Sequence, residues 1–300
     1  MAQQIGFIGI GMMGHGMARN LLAKGFALTF KANRNRANLE DLLAAGAKEA
    51  KTNADCARAC DIVFICVTGS PQVEQVIYGD DGVLSVARPG LVVVDTSTSE
   101  PGSTTKIRAD LAAKGAKLID APLARTPKEA EEGRLNTMVG ATPDDFARLE
   151  PVMRAFCENV IHVGPPGSGH VLKLVNNMLA MTVACATAEA FAVAAKAGLD
   201  LVKAYEVVSA GGVNSGVFQM MTAKVLKEGD LSGFKFGIAN AQKDLGYYSR
   251  LAASLPVPSP IGSATQQSLI QATALGFGDR MVTSLLEAQE KVNNVKIVPR

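Results

Sequence analysis

The chain has 300 residues, of which 48% are hydrophobic, and its 30 lysines and arginines nearly balance its 28 aspartates and glutamates. This length predicts about two domains, each large enough to enclose a core of its own. The net charge of +2 and the lack of a basic run argue against binding to nucleic acid, although a basic spot could still hold one small anion.

The cysteine and histidine content is typical of a cytoplasmic protein. The five cysteines are odd in number, form no CxxC pair and lie mostly among apolar neighbours, as free thiols do in a reducing compartment. The three histidines lack cysteines or carboxylates at ligand spacing, so no metal site is expected. The first residues carry no charged segment, so no signal peptide is expected either.

Short apolar runs alternate with helical patterns through the first half of the chain. Strands separated by helices predict a doubly wound parallel sheet, because right-handed crossovers place helices on both faces. The first predicted helix covers residues 14–24 and ends at Gly25. The predicted strands cover residues 5–10, 28–30, 62–67, 91–95, 117–120, 136–139 and 160–163.

The pattern changes at the segment GPPGSG, residues 164–169, which predicts a domain boundary with residues 1–163 before it and 164–300 after it. A run of nearly thirty residues without Gly or Pro follows and predicts one long helix over about 169–197. Polar residues interrupt this run, which favours a buried helix over a membrane span. Further helices are predicted at 203–210, 217–227 and 263–275, so the second domain should be all-α.

The first predicted strand leads into the loop GIGMMG, residues 9–14, and then into a helix. This strand, GxGxxG loop and helix indicate a dinucleotide site of the Rossmann type, with a plain tight turn as the alternative. Gly9 would permit the turn, Gly11 would let a pyrophosphate approach the backbone, and Gly14 would let the helix pack closely. Met12 and Met13 complete the predicted phosphate loop.

The end of the second predicted strand indicates which cofactor binds. NAD sites usually place an acid there, but residues 30–36 contain cations and amides and no acid precedes Glu40. A 2′-phosphate would accept charge-assisted hydrogen bonds from them, so NADP is preferred and NAD remains possible. The alternative is a solvated basic loop that tolerates either cofactor. Candidate ligands here and at the end of the strand 62–67 are Asn33, Arg34, Arg36, Val67 and Thr68.

Five groups of motifs follow one another along almost the whole chain. They are FIGIGMMG (7–14) with MARNL (17–21), DTST (95–98), DAP (120–122) with GRL (133–135) and MVG (138–140), GSG (167–169) with KLVNN (173–177), and QKDLG (242–246). Together these motifs resemble the β-hydroxyacid dehydrogenase family, which includes 3-hydroxyisobutyrate dehydrogenases and tartronate semialdehyde reductases. The resemblance implies a Rossmann domain, a long interdomain helix, an all-α second domain, an active site between the domains and a homodimer or homotetramer.

The long helix carries the candidate catalytic residue. Lys173, Asn176, Asn177 and Ala180 share one helical face, where a lysine and two amides are costly to bury without a task. Spacing alone leaves open that Lys173 only extends to solvent and that the amides cap a turn. By resemblance, Lys173 is the general acid and base of carbonyl–alcohol interconversion, and burial near other cations would lower its pKa toward the working pH.

The resemblance also implies roles for neighbours of the reacting groups. Asn177 would orient the substrate, with Asn176 a weaker candidate for the same role. Thr98 would lie near the nicotinamide. Lys243 would close over the site near the cofactor or the substrate anion, whereas from the sequence alone it could be an ordinary surface lysine.

The substrate loop departs from the family pattern. Most members carry Ser-Gly-Gly where this chain has Ala124-Arg125-Thr126. An Arg fork and a Thr hydroxyl suit a carboxylate, sulfonate or phosphate, and Gly-Arg-Thr is the pattern of the sulfolactaldehyde reductase branch. This chain matches that branch in Arg125 and Thr126 but has Ala124 for Gly and Ala180 for a serine. Alternatively, Arg125 points to solvent and the substrate is an ordinary aldehyde acid.

Two other functions stay open at this point. Imine reductases resemble the family but usually place Asp or Tyr where this chain has Lys173. A protein that binds NADP without turnover would not need the face formed by Lys173 and Asn177. The composition and the family resemblance together predict a small anionic substrate as the partner, and neither a membrane nor a nucleic acid.

Overall fold

The computed structural model describes residues 3–33, 36 and 39–299 of the chain. The chain divides into two compact units, Met1–Lys173 and Leu174–Arg300. The division falls inside a long helix, later in the chain than the predicted boundary after residue 163. The first unit combines strands and helices, and the second is helical.

The strands of the first unit form one sheet, in which nine strands can be traced among the described residues. Most of them begin or end within two residues of a predicted strand. Their bounds are β1 (Gln4–Ile8), β2 (Ala27–Lys31), β3 (Lys48–Glu49), β4 (Ile62–Ile65), β5 (Val92–Asp95), β6 (Lys117–Asp120), β7 (Leu123–Ala124), β8 (Leu135–Gly140) and β9 (Cys157–Gly164).

Several helices of the first unit begin at residues suited to helix starts. Thr52 and Thr142 cap theirs by accepting the backbone N–H three residues later, at 3.0 and 3.2 Å between N and Oγ1. The helices are α1 (Gly14–Ala23), α2 (Glu40–Ala44), α3 (Asn53–Arg58), α4 (Ser70–Tyr78), α5 (Pro101–Ala112), α6 (Pro127–Glu131), α7 (Pro143–Met153) and α8 (Ser168–Lys196), the last of which continues into the second unit.

The order of the strands reverses at one point of the sheet. Six parallel strands follow the order β3-β2-β1-β4-β5-β6, so the direction in which the chain adds strands reverses between β1 and β4. In open α/β sheets, ligands bind outside the carboxyl ends of the strands at such a reversal. The loop that follows β1 and the segment that follows β4 therefore lie where a dinucleotide is expected.

Apolar clusters cover both faces of this sheet. Phe7, Phe30 and Phe64 belong to one cluster, whereas Val63 and Ile65 belong to another. Successive side chains of a strand point to opposite faces, so β4 contributes to both clusters and is buried at all four positions. This is the doubly wound Rossmann architecture that the sequence predicts.

The sheet differs from the prediction at its far edge. The prediction of a parallel sheet is wrong for β8, which runs antiparallel to β6 and β7 and parallel to β9. A parallel crossover needs about a dozen residues or more, usually with a helix across the sheet. The chain between β7 and β8 holds only the five-residue helix α6, and it turns back instead.

The second unit is all-α, as predicted, and residues 174–299 show only the isolated bridge between Gly237 and Met281 in addition to helices. Its core joins the middle of α8 to the later helices through side chains such as Met181, Phe218 and Leu245. The helices that follow α8 are α9 (Leu201–Ala210), α10 (Gly216–Thr222), α11 (Val225–Glu228), α12 (Ile238–Ser254), α13 (Pro260–Ala272) and α14 (Leu285–Asn293).

Two predicted helices of the second unit differ in their bounds. The helix predicted at 217–227 is divided into α10 and α11. The helix predicted at 263–275 begins earlier, because Pro260 is favourable in a first turn. It then passes into a wider turn at Thr273–Phe277, where Gly276 has a φ of 94° that is incompatible with a regular helix.

Helix α8 extends over 29 residues, close to the predicted 169–197. Its most apolar stretch has a mean hydropathy of 1.7 and is 33% buried, so by length and composition alone the helix could cross a membrane. Core helices of soluble proteins share this length and composition but are mostly buried, so the burial predicted for this helix is found over only a third of the stretch in the single chain.

Candidate active site

The glycine-rich loop after β1 requires two of its glycines sterically. Gly9 has a φ of 105°, and a Cβ there would lie 2.2 Å from the carbonyl oxygen of Cys66. A Cβ on Gly14 would lie 2.1 Å from the carbonyl oxygen of Gly9. Gly11, in contrast, has nothing within 4 Å of its Cβ position, and Met12 is 75% exposed. The loop is therefore closed toward β4 and open on the side where the sequence predicts the pyrophosphate.

One predicted 2′-phosphate ligand, Arg36, pairs with a carboxylate that sequence reasoning missed. Arg36 donates to both carboxylate oxygens of Glu49 at 2.9 Å, and this guanidinium lowers the pKa of Glu49. Glu49 belongs to β3, whose pairing with β2 brings it to this end of the sheet. Asn33 is exposed, and Arg34 lies outside the described residues. This ion pair is exposed and screened by solvent, so it competes little with a phosphate.

The segment after β5 is held by hydrogen bonds within itself and by one to the segment that follows β4. Asp95 is buried and accepts hydrogen bonds from the backbone N–H of Ser97 at 2.9 Å and from the Ser99 hydroxyl at 2.7 Å. The Ser97 hydroxyl in turn accepts the backbone N–H of Val67 at 3.0 Å. Thr98 is partly exposed, whereas residues 95–97 and 99 are buried. Thr98 is thus available at the carboxyl end of β5, the edge that the predicted nicotinamide site requires.

Thr68 follows Val67 at the carboxyl end of β4, beside the same reversal of strand order. Both residues lie on the segment that faces the Gly9 loop through Cys66. Their contact with a cofactor stays a prediction, as it does for the loop residue Met13.

Arg125 occupies a backbone conformation that favours glycine. Its φ is 81°, in the left-handed region where most family members carry a glycine. Its guanidinium pairs with Glu158 on β9 and donates to the carbonyl oxygen of Arg134 at 2.5 Å. Glu158 and the carbonyl oxygen of Arg134 therefore bind the Arg125 guanidinium in this structure, and its contact with a substrate anion stays a prediction.

Thr126 has a structural task that sequence reasoning missed. Its backbone N–H and its hydroxyl both donate to the carboxylate of Glu129, at 3.0 and 2.5 Å, in a capping box at the start of α6. The hydroxyl lowers the pKa of Glu129. The signal was present in the sequence as Thr-Pro-Lys-Glu, a capping residue followed three positions later by Glu. A contact of Thr126 with substrate also stays a prediction.

Lys173 and Asn177 lie one turn apart on α8. Lys173 is partly exposed and Asn177 is only 6% exposed. The Asn177 amide nitrogen donates to Oδ2 of Asp244 at 2.7 Å, and its oxygen accepts from the exposed Asn176 at 3.3 Å. Asn177 is thus the more firmly oriented of the two amides.

Asp244 connects the predicted residues of the second unit. Its carboxyl group is 2% exposed, and its Oδ1 lies 3.0 Å from Nζ of Lys243. Lys243 is 23% exposed and also lies 5.2 Å from the ring centre of Tyr247. A buried carboxylate between a lysine and an amide was not among the predicted site residues, although it stands within the motif QKDLG.

Thiol and metal chemistry find little support among the described residues. No group of three or more His, Cys, Asp or Glu side chains there could hold a metal ion. The five cysteines are free, and burial raises the pKa of Cys66 to about 11 and that of Cys185 to about 12. The thiols of Cys66 and Cys185 are therefore protonated near neutral pH and are poor nucleophiles.

Comparisons with known proteins identify the family. A family model described as the NAD binding domain of 6-phosphogluconate dehydrogenase matches residues 4–164, and one described as NAD-binding of NADP-dependent 3-hydroxyisobutyrate dehydrogenase matches residues 167–288. The 2-(hydroxymethyl)glutarate dehydrogenase of Eubacterium barkeri is 33% identical over 98% of this chain and 97% of its own.

Two further proteins agree with this result. The 3-sulfolactaldehyde reductase of Escherichia coli strain K12 is 33% identical over 94% of each chain. The solved structure of Mycobacterium tuberculosis 3-hydroxyisobutyrate dehydrogenase with L-serine has a TM-score of 0.85 and 25% identity, and it covers 96% of this chain and 99% of that chain. The chain therefore belongs to the β-hydroxyacid dehydrogenase family and is an NAD(P)-dependent oxidoreductase acting on the CH–OH group of hydroxy acids.

Proposed function

We propose that this protein interconverts a short aldehyde acid and its hydroxy acid, with NADP as the preferred cofactor and Lys173 as the proton donor and acceptor. The observation that carries the proposal is the pair of Lys173 and Asn177 one turn apart on α8, with the Asn177 amide held by the buried Asp244. A protein that only bound the cofactor would have no use for this polar face.

Lys173 donates a proton in the reduction and accepts one in the oxidation. NADPH, when bound, supplies the hydride to the carbonyl carbon of the substrate. Negative charge then develops on the carbonyl oxygen, and the Lys173 ammonium donates a proton to it. In the oxidative direction, the neutral amine of Lys173 takes the proton of the alcohol.

Asn177 orients the reacting group. One N–H of its amide is committed to Asp244, which fixes the rotation of the amide and leaves the second N–H for a substrate oxygen. Because Asp244 also pairs with Lys243, both residues are held by one carboxylate. Lys243 then offers a positive charge to the substrate anion or to the cofactor.

The candidate substrates are tartronate semialdehyde, methylmalonate semialdehyde, succinate semialdehyde and sulfolactaldehyde. A second candidate function, reduction of a sulfonated aldehyde, is favoured by Arg125 and Thr126, since a sulfonate suits an Arg fork and a hydroxyl. Binding of an anion by Arg125 would require the guanidinium to leave Glu158, an exposed pair that holds it only weakly.

The cofactor preference rests on Arg34, Arg36 and Asn33 after β2, where NAD sites usually carry an acid. Among the described residues, Glu49 is the acidic group that pairs with Arg36, and both of its carboxylate oxygens accept from that guanidinium. We therefore expect Arg36 to exchange Glu49 for the 2′-phosphate when NADP binds.

The experiment that tests this function measures reduction of the four aldehyde acids with NADPH and with NADH, by the loss of reduced-cofactor absorbance. We expect turnover of at least one acid and a higher kcat/KM with NADPH. A preference for sulfolactaldehyde, lost in Arg125→Gly, would assign Arg125 to the sulfonate. No turnover of any acid despite tight cofactor binding would overturn the proposal, and a preference for NADH would overturn the assignment of Arg36.

We further propose that the protein acts in the cytoplasm as a homodimer or homotetramer. Its free thiols suit a reducing compartment. The exposed apolar side chains Leu179 and Val193 of α8, 60% and 65% exposed in one chain, suit a subunit interface better than solvent.

A further inference from the structure

The first turn of α8 is capped by an aspartate from the sheet. Asp120 ends β6, and its carboxylate accepts the backbone N–H of Gly167 at 2.6 Å and that of His170 at 2.9 Å. The first amides of a helix have no acceptor within the helix, so this carboxylate satisfies groups that would otherwise be buried without a partner. The helix that carries Lys173 is thereby fixed at its start.

The contact between this turn and the sheet leaves no space for a side chain. A Cβ on Gly169 would lie 2.4 Å from the carbonyl oxygen of Met138 and 2.7 Å from that of Asp120. A Cβ on Gly140 would lie 2.7 Å from both carboxylate oxygens of Asp120. The turn can therefore shift toward the sheet by very little.

A second aspartate holds the same turn through a histidine ring. Asp95 ends β5 and is the register partner of Asp120 on the neighbouring strand. His170 is fully buried, with Nδ1 2.7 Å from the Thr104 hydroxyl oxygen and Nε2 3.6 Å from Oδ2 of Asp95. Among the described residues, Nε2 has no hydrogen-bond partner.

The arrangement of donors and acceptors assigns a hydrogen to Nε2. The oxygens of Asp95 only accept hydrogen bonds, from Ser97 and Ser99. A bare ring nitrogen would direct its lone pair at this carboxylate and be repelled, whereas Nε2–H is attracted to it. His170 therefore links α8 to β5 electrostatically, while its Nδ1 links α8 to Thr104 on α5.

We propose that His170 is a positioning residue, which sets the rotation of the first turn of α8 and thereby places the ammonium group of Lys173. The two residues are three positions apart and lie on neighbouring turns of the same side of the helix. His170 acts through the helix and does not touch the substrate. The inference rests on the proposed role of Lys173, because a displacement of about 1 Å in a catalytic group can cost about 100-fold in rate.

The test compares His170→Leu, which removes both ring contacts, with His170→Gln, whose side-chain amide can still donate toward Asp95. We expect His170→Leu to lower kcat about 100-fold, with the KM of the aldehyde acid and the Kd of NADPH within about twofold. His170→Gln should recover most of that loss. His162→Gln is the matched control, since His162 contacts the backbone of Ala141 rather than Asp95, and its kcat should not change.

A double-mutant cycle with Lys173→Ala distinguishes the positioning role of His170 from the proposed role of Lys173 as proton donor. If Lys173→Ala is nearly inactive and His170→Leu causes no further loss in that background, His170 acts through Lys173. An equal loss in both backgrounds, or an unchanged kcat of His170→Leu beside an inactive Lys173→Ala, would overturn the inference. Should His170→Leu not fold, Thr104→Val replaces it, with an expected loss of about threefold to tenfold in kcat and an unchanged kcat as the contrary result. An active Lys173→Ala would instead overturn the proposed function.

Discussion

His15 follows the glycine-rich loop and connects three helices of the first unit. Its Nδ1 lies 2.8 Å from Oε1 of Glu131, the last residue of α6, and its Nε2 lies 3.0 Å from Oδ2 of Asp41 on α2. Burial disfavours the charged ring, but the hydrogen bonds that the ring donates to both carboxylates outweigh this effect, so the pKa of His15 is raised above its ordinary value of 6.5. The imidazolium is thus bound more tightly in the folded protein than in the unfolded chain.

The sign of the pH dependence follows from this raised pKa. The stabilisation by His15 is complete below about pH 6.5 and is lost as the pH rises through the raised pKa. We predict that the thermal midpoint of the wild type falls more between pH 6 and pH 8.5 than that of His15→Gln. Equal slopes for the two proteins would show that the carboxylates do not favour the charged ring.

Two of the contacts that sequence reasoning missed join residues that are far apart along the chain. Asp244 meets Asn177 from 67 positions away, and the His170 ring meets Thr104 from 66 positions away. No local periodicity reports such pairs. Helical spacing, in contrast, was enough to put Lys173 and Asn177 on one face of α8, and the role of Lys173 stays a prediction from the family motif.

At the scale of elements, the continuous apolar runs of β1, β4, β5 and β6 made these strands predictable. The two-residue strands β3 and β7 were not, because Lys48 and Glu49 are charged and two residues define no period. The direction of β8 depends on the short connection before it rather than on its own sequence. The parallel half of the sheet, which positions the predicted dinucleotide site, was thus the more predictable part.

The glycine-rich loop yields a prediction about two substitutions that differ by position alone. Gly14→Ala places a methyl group 2.1 Å from the carbonyl oxygen of Gly9. It should lower the free energy of unfolding by about 1–3 kcal/mol and weaken NADPH binding, because the loop must shift. Denaturant titration and NADPH fluorescence measure the two effects.

Gly11→Ala is the matched control for this steric argument. Its methyl group meets nothing within 4 Å in the protein, so the stability should be nearly unchanged. NADPH binding should still weaken about tenfold or more, an effect of about 1.4 kcal/mol, because the predicted pyrophosphate approaches there. If Gly11→Ala bound NADPH as tightly as the wild type, the pyrophosphate would not lie against Gly11.

At the scale of the whole molecule, each of the two units holds predicted site residues of its own. The first unit supplies the Rossmann sheet with its reversal of strand order and the start of α8 with Lys173. The second unit holds Asn177 and Lys243, which both contact the buried carboxylate of Asp244. The family of the chain assigns the reaction class, and Lys173 with Asn177 supports the proposal about how the proton is transferred.

The most direct test of that proposal is steady-state reduction of the best aldehyde acid by Lys173→Ala, beside Lys203→Ala as a control on an exposed lysine of α9. Loss of the proton donor should lower kcat by about 10²–10⁴-fold, the usual contribution of general acid catalysis. NADPH should bind Lys173→Ala within about twofold of the wild type, and Lys203→Ala should keep its full activity. Turnover by Lys173→Ala within tenfold of the wild type would contradict the role of Lys173 as proton donor.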